Sequence, residues 1–339
     1  MHVLLYEWAT GGGLVEEAGP PASLLQEGAA MIAALAEDFV RLDDCRVTLL
    51  RDVRLADPPP RGCRVVDVHH SAQAREELIR LGRLADCTLV IAPEFDGILR
   101  KTLAALRRHD VATLNAACEF VRVASDKQAT AESLAKAGVP VPYAVVLPAD
   151  AERLPRDFPY PGVLKPLDGA GSQHTYLVEG PGDRPDPYPW PRRLERYCRG
   201  RAASVAALCT PHGIHPLPPC WQRLSADGRF TYLGGQTIRE PDPAGRAVRL
   251  ALQALSAMPP GHGWVGVDLV LGDDPQGGDD AAIEINPRLT TSYVGLRAAV
   301  AENLAGAMLA GRNGPLLPFT PVGAGVEFTA EGGVRLLGE

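Results

Sequence analysis

Short apolar runs alternate with amphipathic stretches over the first third of the chain. Residues 2–6 (HVLLY), 47–50, 64–68 and 88–92 are rich in Val, Leu and Ile and bounded by polar or turn residues, which predicts buried strands. Residues 23–36 and 73–85 repeat apolar positions at three- and four-residue spacing, which predicts helices with one buried face. The order strand, helix, strand, strand, helix, strand implies a parallel or mostly parallel sheet with helices on its faces. Ligands of such sheets bind at the carboxyl ends of the strands. There the first strand is followed by Glu7 and by Gly11-Gly12-Gly13, and the fourth by Glu94. Glu7, Gly11, Gly12 and Glu94 are therefore candidate substrate-side residues, although Glu94 fits equally well as the neighbour of a helix N-cap.

Farther along, residues 99–108 and 116–123 predict helices separated by a short strand at 113–115. Ser125-Asp126-Lys127 opens another helix that runs to Lys136. Ser125 or Asp126 can cap it, Gly138 ends it, and Pro140 and Pro142 bar its return. A lysine in a first turn opposes the helix dipole, so Lys127 is a candidate ligand contact as well as a candidate solvated lysine. Strands are expected at 143–147, 163–166, 175–178, 194–197 and 203–208. The strand at 163–166 ends in Lys165-Pro166 and meets a glycine-rich loop, Asp168-Gly169-Ala170-Gly171-Ser172, whose N–H groups could wrap phosphates. The spacing is not that of a P-loop. Residues 217–224 and 230–233 should pair around Ala226-Asp227-Gly228, with Gly234-Gly235-Gln236 following the second strand. A helix at 242–257, a mostly helical stretch at 290–309 and a terminal hairpin (325–328 with 334–337) complete the chain.

Residues 265–296 organise this second part. VGVDLVL and AAIEIN read as two strands joined by the polar turn GDDPQGGDD. Asp268 interrupts the first apolar run. Glu284 and Asn286, two residues apart, face the same side of the second. Two carboxylates and an amide oxygen form a hard oxygen set of the kind that Mg²⁺ takes while completing its shell with water and phosphate. Asp268 alone could cap a turn and Glu284 alone could be a surface residue. Together, amid apolar neighbours, they call for a positive partner. Arg288 follows Pro287 and could hold a phosphate or carboxylate bidentately.

The totals narrow the class. At 339 residues the chain suits two or three units sharing one site. A formal net charge of -7, with no basic cluster interleaved with aromatics, argues against a nucleic-acid partner. The seven cysteines are scattered with no C-x-x-C, so neither zinc nor a disulfide framework is indicated, and reduced thiols in a cytoplasm are the expectation. The chain opens directly on a strand without a leader pattern, and no apolar run reaches transmembrane length.

The motifs SDK, VLKP with DGAGS, LERY, VGVDLVL and IEINPR, in that order over residues 113–309, resemble the ATP-grasp superfamily of carboxylate–amine ligases. EWATGGGL, IAPE and the Gly234-Gly235 region are similar, more narrowly, to the tyramine–glutamate ligases of methanofuran and methylofuran biosynthesis. The resemblance implies an α/β chain (α+β in the ATP-grasp part). It would comprise a Rossmann-like parallel-sheet domain over 1–115, a mobile lid over 116–199 and a core over 200–339. It implies ATP and Mg²⁺, or Mn²⁺, as cofactors. Lys127, Lys165, Gly169, Gly171 and Ser172 would meet the phosphates. Glu195, Arg196 and Tyr197 would hold adenine, chiefly through backbone. Asp268, Glu284 and Asn286 would carry the metal. Arg288, with Lys165, would meet the transferred phosphoryl group or acyl phosphate. The partners would be a small carboxylate and an amine, with glutamate activated at its γ-carboxylate and tyramine or tyrosine as nucleophile. Superfamily members are often dimers, so a homodimer is an expectation. One departure stands out: many relatives carry a ribose-binding acid after the hinge glycine, where this chain reads Gly200-Arg201-Ala202-Ala203. Other ATP-grasp ligases and a small-molecule kinase on the same fold share these motifs. A nucleotide-binding subunit would not need both acids, and a Rossmann dehydrogenase lacks its G-x-G-x-x-G here.

Overall fold

The computed structural model describes residues 1–149, 151, 153–169 and 171–338. Ala170 of the expected glycine loop lies outside the described residues. The first third follows the predicted alternation. Strand β1 (His2–Glu7) leads to helix α1 (Ala22–Val40). Strands β2 (Arg46–Asp52) and β3 (Cys63–Val68), helix α2 (Ser71–Gly82), strand β4 (Cys87–Ile91) and helix α3 (Ile98–Arg108) follow. The four strands are parallel in the order β3-β2-β1-β4. The order reverses at β1, so a crevice opens at the carboxyl ends of β1 and β4, beside Glu7 and Glu94. Helix α1 outruns the apolar stripe seen in the sequence because Asp38 is not solvated. It accepts hydrogen bonds from Tyr293 (2.7 Å) and from Arg297 Nε (2.9 and 3.0 Å). Those partners carry the helix on to the fully buried Phe39.

Helices α4 (Cys118–Ala124) and α5 (Lys127–Lys136) lead out of this layer. Asp126 rather than Ser125 is the cap of α5, accepting from the backbone of Gln128 and Ala129 at 2.9 and 3.0 Å. Next comes a small antiparallel sheet of β5 (Ala144–Leu147), β6 (Gly162–Pro166), β7 (Tyr176–Val178) and β8 (Arg192–Arg196), in the order β5-β8-β6-β7. Its core is its own: Leu147, Leu154, Phe158, Leu164, Tyr176, Val178 and Leu194 pack together apart from the two larger clusters. A layer held by a separate small core can move as a unit.

The remaining strands make one large antiparallel sheet. They are β9 (Arg201–Thr210), β10 (Gly213–Pro216), β11 (Cys220–Leu224), β12 (Tyr232–Thr237), β13 (Gly263–Leu271), β14 (Ala281–Asn286), β15 (Gly325–Thr329) and β16 (Val334–Leu337). Their order is β14-β13-β9-β11-β12-β15-β16, with β10 also on β9. Helix α6 (Pro241–Ser256) packs on this sheet, and the expected helical stretch near 290–309 is two short helices, α7 (Tyr293–Ala299) and α8 (Leu304–Ala310). Gly234 and Gly235 lie within β12 rather than after it. A Cβ on Gly234 would stand 2.1 Å from Phe328 O, and one on Gly235 2.7 Å from the Phe328 ring. Two cores tie this sheet to the N-terminal layer. One joins Leu4 and Val90 with Val205, Val267 and α6, the other joins Val3 and Phe39 with Leu208, Tyr293 and Phe328. All seven cysteines are free, and no described helix is long and apolar enough to cross a membrane.

Candidate active site

The floor of the cleft is the large sheet. Ala202, Ser204 and Ala206 share one face of β9 at period two and line the cavity. Their small size leaves open space over β9. Asp268 pairs with Ser204 on one side and Glu284 on the other. A register shift after Asp268 bends the hairpin at that point. Asn286 Nδ2 donates to Asp268 Oδ2 at 2.9 Å, and Gln222 Nε2 reaches from β11 to Asp268 Oδ1 at 2.8 Å. Lys127, first residue of α5, lies 3.2 Å from Glu284 Oε2 and donates to Gly169 O at 3.1 Å. Its place in a first turn, costly for the helix, is thus repaid by a carboxylate across the cleft.

The small sheet forms the roof. Lys165 Nζ lies 2.6 Å from Glu195 Oε1, and Arg193 Nε 3.1 Å from Glu195 Oε2; all three side chains are buried. Glu195 therefore turns its side chain into the roof. The N–H groups of Arg196 and Tyr197 already donate to Tyr143 O (2.8 Å) and Pro161 O (3.0 Å). Recognition of a base at this hinge would fall to carbonyl groups and later amides. The Tyr197 ring lies near-parallel to Phe230 with centroids 6.3 Å apart. In the loop that follows Lys165, Gly169 (φ 149°) and Gly171 (φ 66°) adopt backbone angles that favour glycine. Ser172 Oγ donates to Phe230 O at 2.7 Å, fastening the loop to the turn between β11 and β12. At the hinge, Gly200 (φ 140°) is obligatory, since a Cβ there would meet Leu271 O at 2.3 Å. Arg201, where many relatives carry an acid, stacks its guanidinium on Trp221 at 3.8 Å.

At the far end, Arg288 Nε donates to Glu94 Oε1 at 2.9 Å, while Glu94 Oε2 is buried with no hydrogen-bond partner among the described residues. Glu94 thus positions Arg288 rather than lining the cavity. Glu7 closes its own turn: Oε1 accepts from Ala9 N (3.1 Å), and Oε2 accepts from Thr10 N and Oγ1 (2.7 Å each). Gly11 and Gly12 are buried in that turn, against the Tyr6 ring and Val68. Glu7, Gly11 and Gly12 are behind the cavity wall rather than on it. The wall does include Glu27, Gln222 and Tyr232, none of which the motifs flagged. Glu27 sits in an amphipathic helix where it reads as solvated, and Gln222 follows two buried residues, Cys220 and Trp221, on a strand whose far end is more exposed. Nothing local on β11 singles out Gln222, whose place in the site comes from the pairing of distant strands.

The charges are strongly coupled. Burial, then the facing Glu284, pushes the Asp268 carboxyl up to about 7. Burial works in the same direction on Glu284, but Lys127, Lys165 and Arg288 outweigh it and hold Glu284 below the usual range. Burial opposes the charged forms of Lys127 and Arg288, and Glu284 and Glu94 more than compensate. Two facing carboxylates, one of them driven towards neutrality, fit a hard divalent cation that would hold both charged. Among the described residues no group of three His, Cys, Asp or Glu side chains forms a closed cage, so such an ion would keep positions open for water or phosphate oxygen.

Residues 124–292 match the model of the ATP-grasp domain, and residues 45–121 match the pre ATP-grasp 3 domain. The tyramine–L-glutamate ligase of Methanocaldococcus fervens is 24% identical over 330 residues, covering 96% of this chain and 99% of that one. The enzyme of the same name from Methanocaldococcus jannaschii is 24% identical over 298 residues, covering 87% and 84%. In fold, the chain is similar to the L-amino acid ligase from Bacillus licheniformis (TM-score 0.68, 16% identity, 96% and 78% covered). It is also similar to biotin carboxylase from Campylobacter jejuni in complex with an ATP analogue (TM-score 0.73, 15% identity, 96% and 74% covered). With its ATP-binding fold, its paired acids and lysines and these relatives, the chain belongs to the ATP-grasp family of carboxylate–amine ligases.

Proposed function

We propose that the enzyme joins the γ-carboxylate of L-glutamate to the amine of tyramine or tyrosine, in the synthesis of a methanofuran- or methylofuran-type one-carbon cofactor. The observation that carries this reading is the similarity, over most of the chain, to two tyramine–L-glutamate ligases. A carboxylate does not condense with an amine in water because oxide is a poor leaving group. Transfer of the γ-phosphoryl group of ATP to the carboxylate gives an acyl phosphate and ADP. Attack by the amine then expels phosphate and leaves the amide.

Each part of the cleft has a task in that sequence. Lys127 and Lys165 neutralise charge on the phosphates. Asp268, Glu284 and Asn286 would hold Mg²⁺, or Mn²⁺, which supplies electrostatic stabilisation of phosphoryl transfer. Arg288, oriented by Glu94, meets the acyl phosphate and the oxyanion that develops when the amine attacks. The lid expected over 116–199 is narrower: α4 and α5 pack into the larger core, and the small sheet from Ala144 to Arg196, with its separate core, is the part that would close and keep water from the intermediate. Small-molecule substrates suffice, and a homodimer in the cytoplasm remains the expected setting.

The test is direct. Purified protein is given Mg-ATP, L-glutamate and an amine panel that includes tyramine and tyrosine, with ADP followed and products read by mass. A glutamyl amide that depends on all three substrates is expected. ADP release with an acceptor but no amide would point to a kinase, and an amide from a different pair would replace the substrates named here.

A further inference from the structure

Glu27 and Asp168 are acids of the cleft that the phosphoryl chemistry does not use; Asp168 accepts from Asp96 N at 3.0 Å, whereas Glu27 faces the substrate side. It projects from α1 into the cavity, where Thr291 Oγ1 donates to its Oε2 at 3.3 Å. Among the described residues no cation pairs with it. The other acids of α1 differ. Asp38 pairs with Arg297 at 2.5 Å, and Glu37 with the same arginine at 3.0 Å. Arg288 is near enough to be felt, but its Nε is committed to Glu94 and its Nη1 to Leu289 O.

The turn between β15 and β16 packs against α1 one helical turn past Glu27, where a Cβ on Gly332 would meet Ala30 at 3.1 Å. That turn brings up a second acid, the exposed Glu331. Tyr232 offers an aromatic ring and a hydroxyl within the same cavity. Burial raises the Glu27 carboxyl above the usual range against the opposing pull of Arg288 and Thr291. A carboxylate desolvated in this way gains most from a cation with hydrogen-bond donors.

We propose that Glu27 is the anionic subsite that receives a substrate's ammonium group, beside the Arg288 guanidinium that receives the carboxylate or acyl phosphate. This rests on the ligase reading of the cleft. Two groups carry the required chemistry: the α-ammonium of the acyl donor, which stays free when the side-chain carboxylate is activated, and the amine nucleophile before it loses its proton.

The experiment compares ligands that differ only in the ammonium group. The full chain, loaded with Mg²⁺ and a non-hydrolysable ATP analogue, is titrated calorimetrically with L-glutamate against glutarate, and with tyramine against 4-ethylphenol. Wild type should prefer the ammonium-bearing member of at least one pair by about tenfold to a hundredfold, the range of a charge-assisted hydrogen bond. Glu27→Gln should erase that preference, and Glu27→Asp should restore part of it. The glutamine can still accept from Thr291, so its melting temperature and nucleotide affinity should stay at wild-type values. The pair that loses its preference identifies the source of the ammonium. Undiminished preference in Glu27→Gln would overturn the proposal. If neither pair binds wild type, the named substrates fail, and the same titration is run with the other proteinogenic amino acids and simple amines. An amine that binds wild type and loses affinity in Glu27→Gln then upholds the subsite. An amine that binds both equally, or the absence of any amine binding, refutes it.

Discussion

Two lysines face the same cleft and are held in different ways. Lys165 belongs to the roof, and its partner Glu195 is a roof residue shared with Arg193, all three nearly inaccessible to solvent. Lys127 belongs to the body, and its partner Glu284 is one of the two acids of the floor, with more of both side chains open to the cleft. The roof ion pairs lie within the small sheet, and Arg193 also donates to Gln128 Oε1 of α5, which ties that network to the body. The floor pair is shared with the site proposed for a metal, so a cation arriving there changes what Lys127 and Glu284 do. One lysine is positioned by the fold, the other by the contents of the cleft.

That contrast is broken most sharply at the floor. Glu284→Gln removes a carboxylate from the metal set and the partner of Lys127 at once. Its turnover should fall by about a thousandfold or more, roughly 4 kcal/mol of transition-state stabilisation. The side chain keeps its size, so the circular dichroism and melting curve should match wild type. Mg²⁺-dependent turnover at the wild-type rate would remove Glu284 from the metal site. At the roof, Lys165→Ala should weaken ATP binding by about tenfold to a hundredfold, or roughly 1.4–2.7 kcal/mol. The lost lysine leaves Glu195 with Arg193 alone, so a second readout is needed. Hydrogen exchange in β6 and β8 should quicken while that of β9 and β13 stays unchanged. An unchanged nucleotide titration would sink the role assigned to Lys165. Quickened exchange throughout would show that the roof is not a separate unit.

The sequence was most legible where one physical signal dominates. The four parallel strands are plain because each is a short apolar run between turn residues, and the hairpin carrying Asp268 and Glu284 is plain because acids interrupt such runs. Strand β10 was not foreseen, since Gly213–Pro216 is four residues with a glycine and a proline and gains its identity only by pairing with β9. Gly234 and Gly235 look like a turn but are strand residues pressed against Phe328, a contact nearly a hundred positions away. The same distance effect hid the partners of the site. Glu195 could be read as a hinge residue, yet nothing local says that its side chain turns back to Lys165. Glu27 looks solvated on a helix wheel, and only the tertiary approach of Thr291 and Arg288 places it in the cleft. Glu7, Gly11 and Gly12 were legible as a special turn, but their tight packing serves the turn itself.

The smallest expected effect separates two tasks within the loop of the roof. Ser172 was expected at the phosphates, yet its hydroxyl donates to Phe230 O on the opposite side of the cleft. If its task is to fasten the loop, Ser172→Ala removes one neutral hydrogen bond between roof and body, worth about 1 kcal/mol. The roof would close less often and bind nucleotide about three- to tenfold more weakly, with ATP and ADP affected alike because the fastening does not depend on the γ-phosphate. If the hydroxyl instead turns to the phosphates on closure, ATP should suffer and ADP should not. Titrating both nucleotides into wild type and Ser172→Ala decides between the two. Equal losses assign Ser172 to the body–roof contact, and a loss confined to ATP returns it to the phosphate site, so that the roof would then bring two side chains, Lys165 and Ser172, to the transferred group.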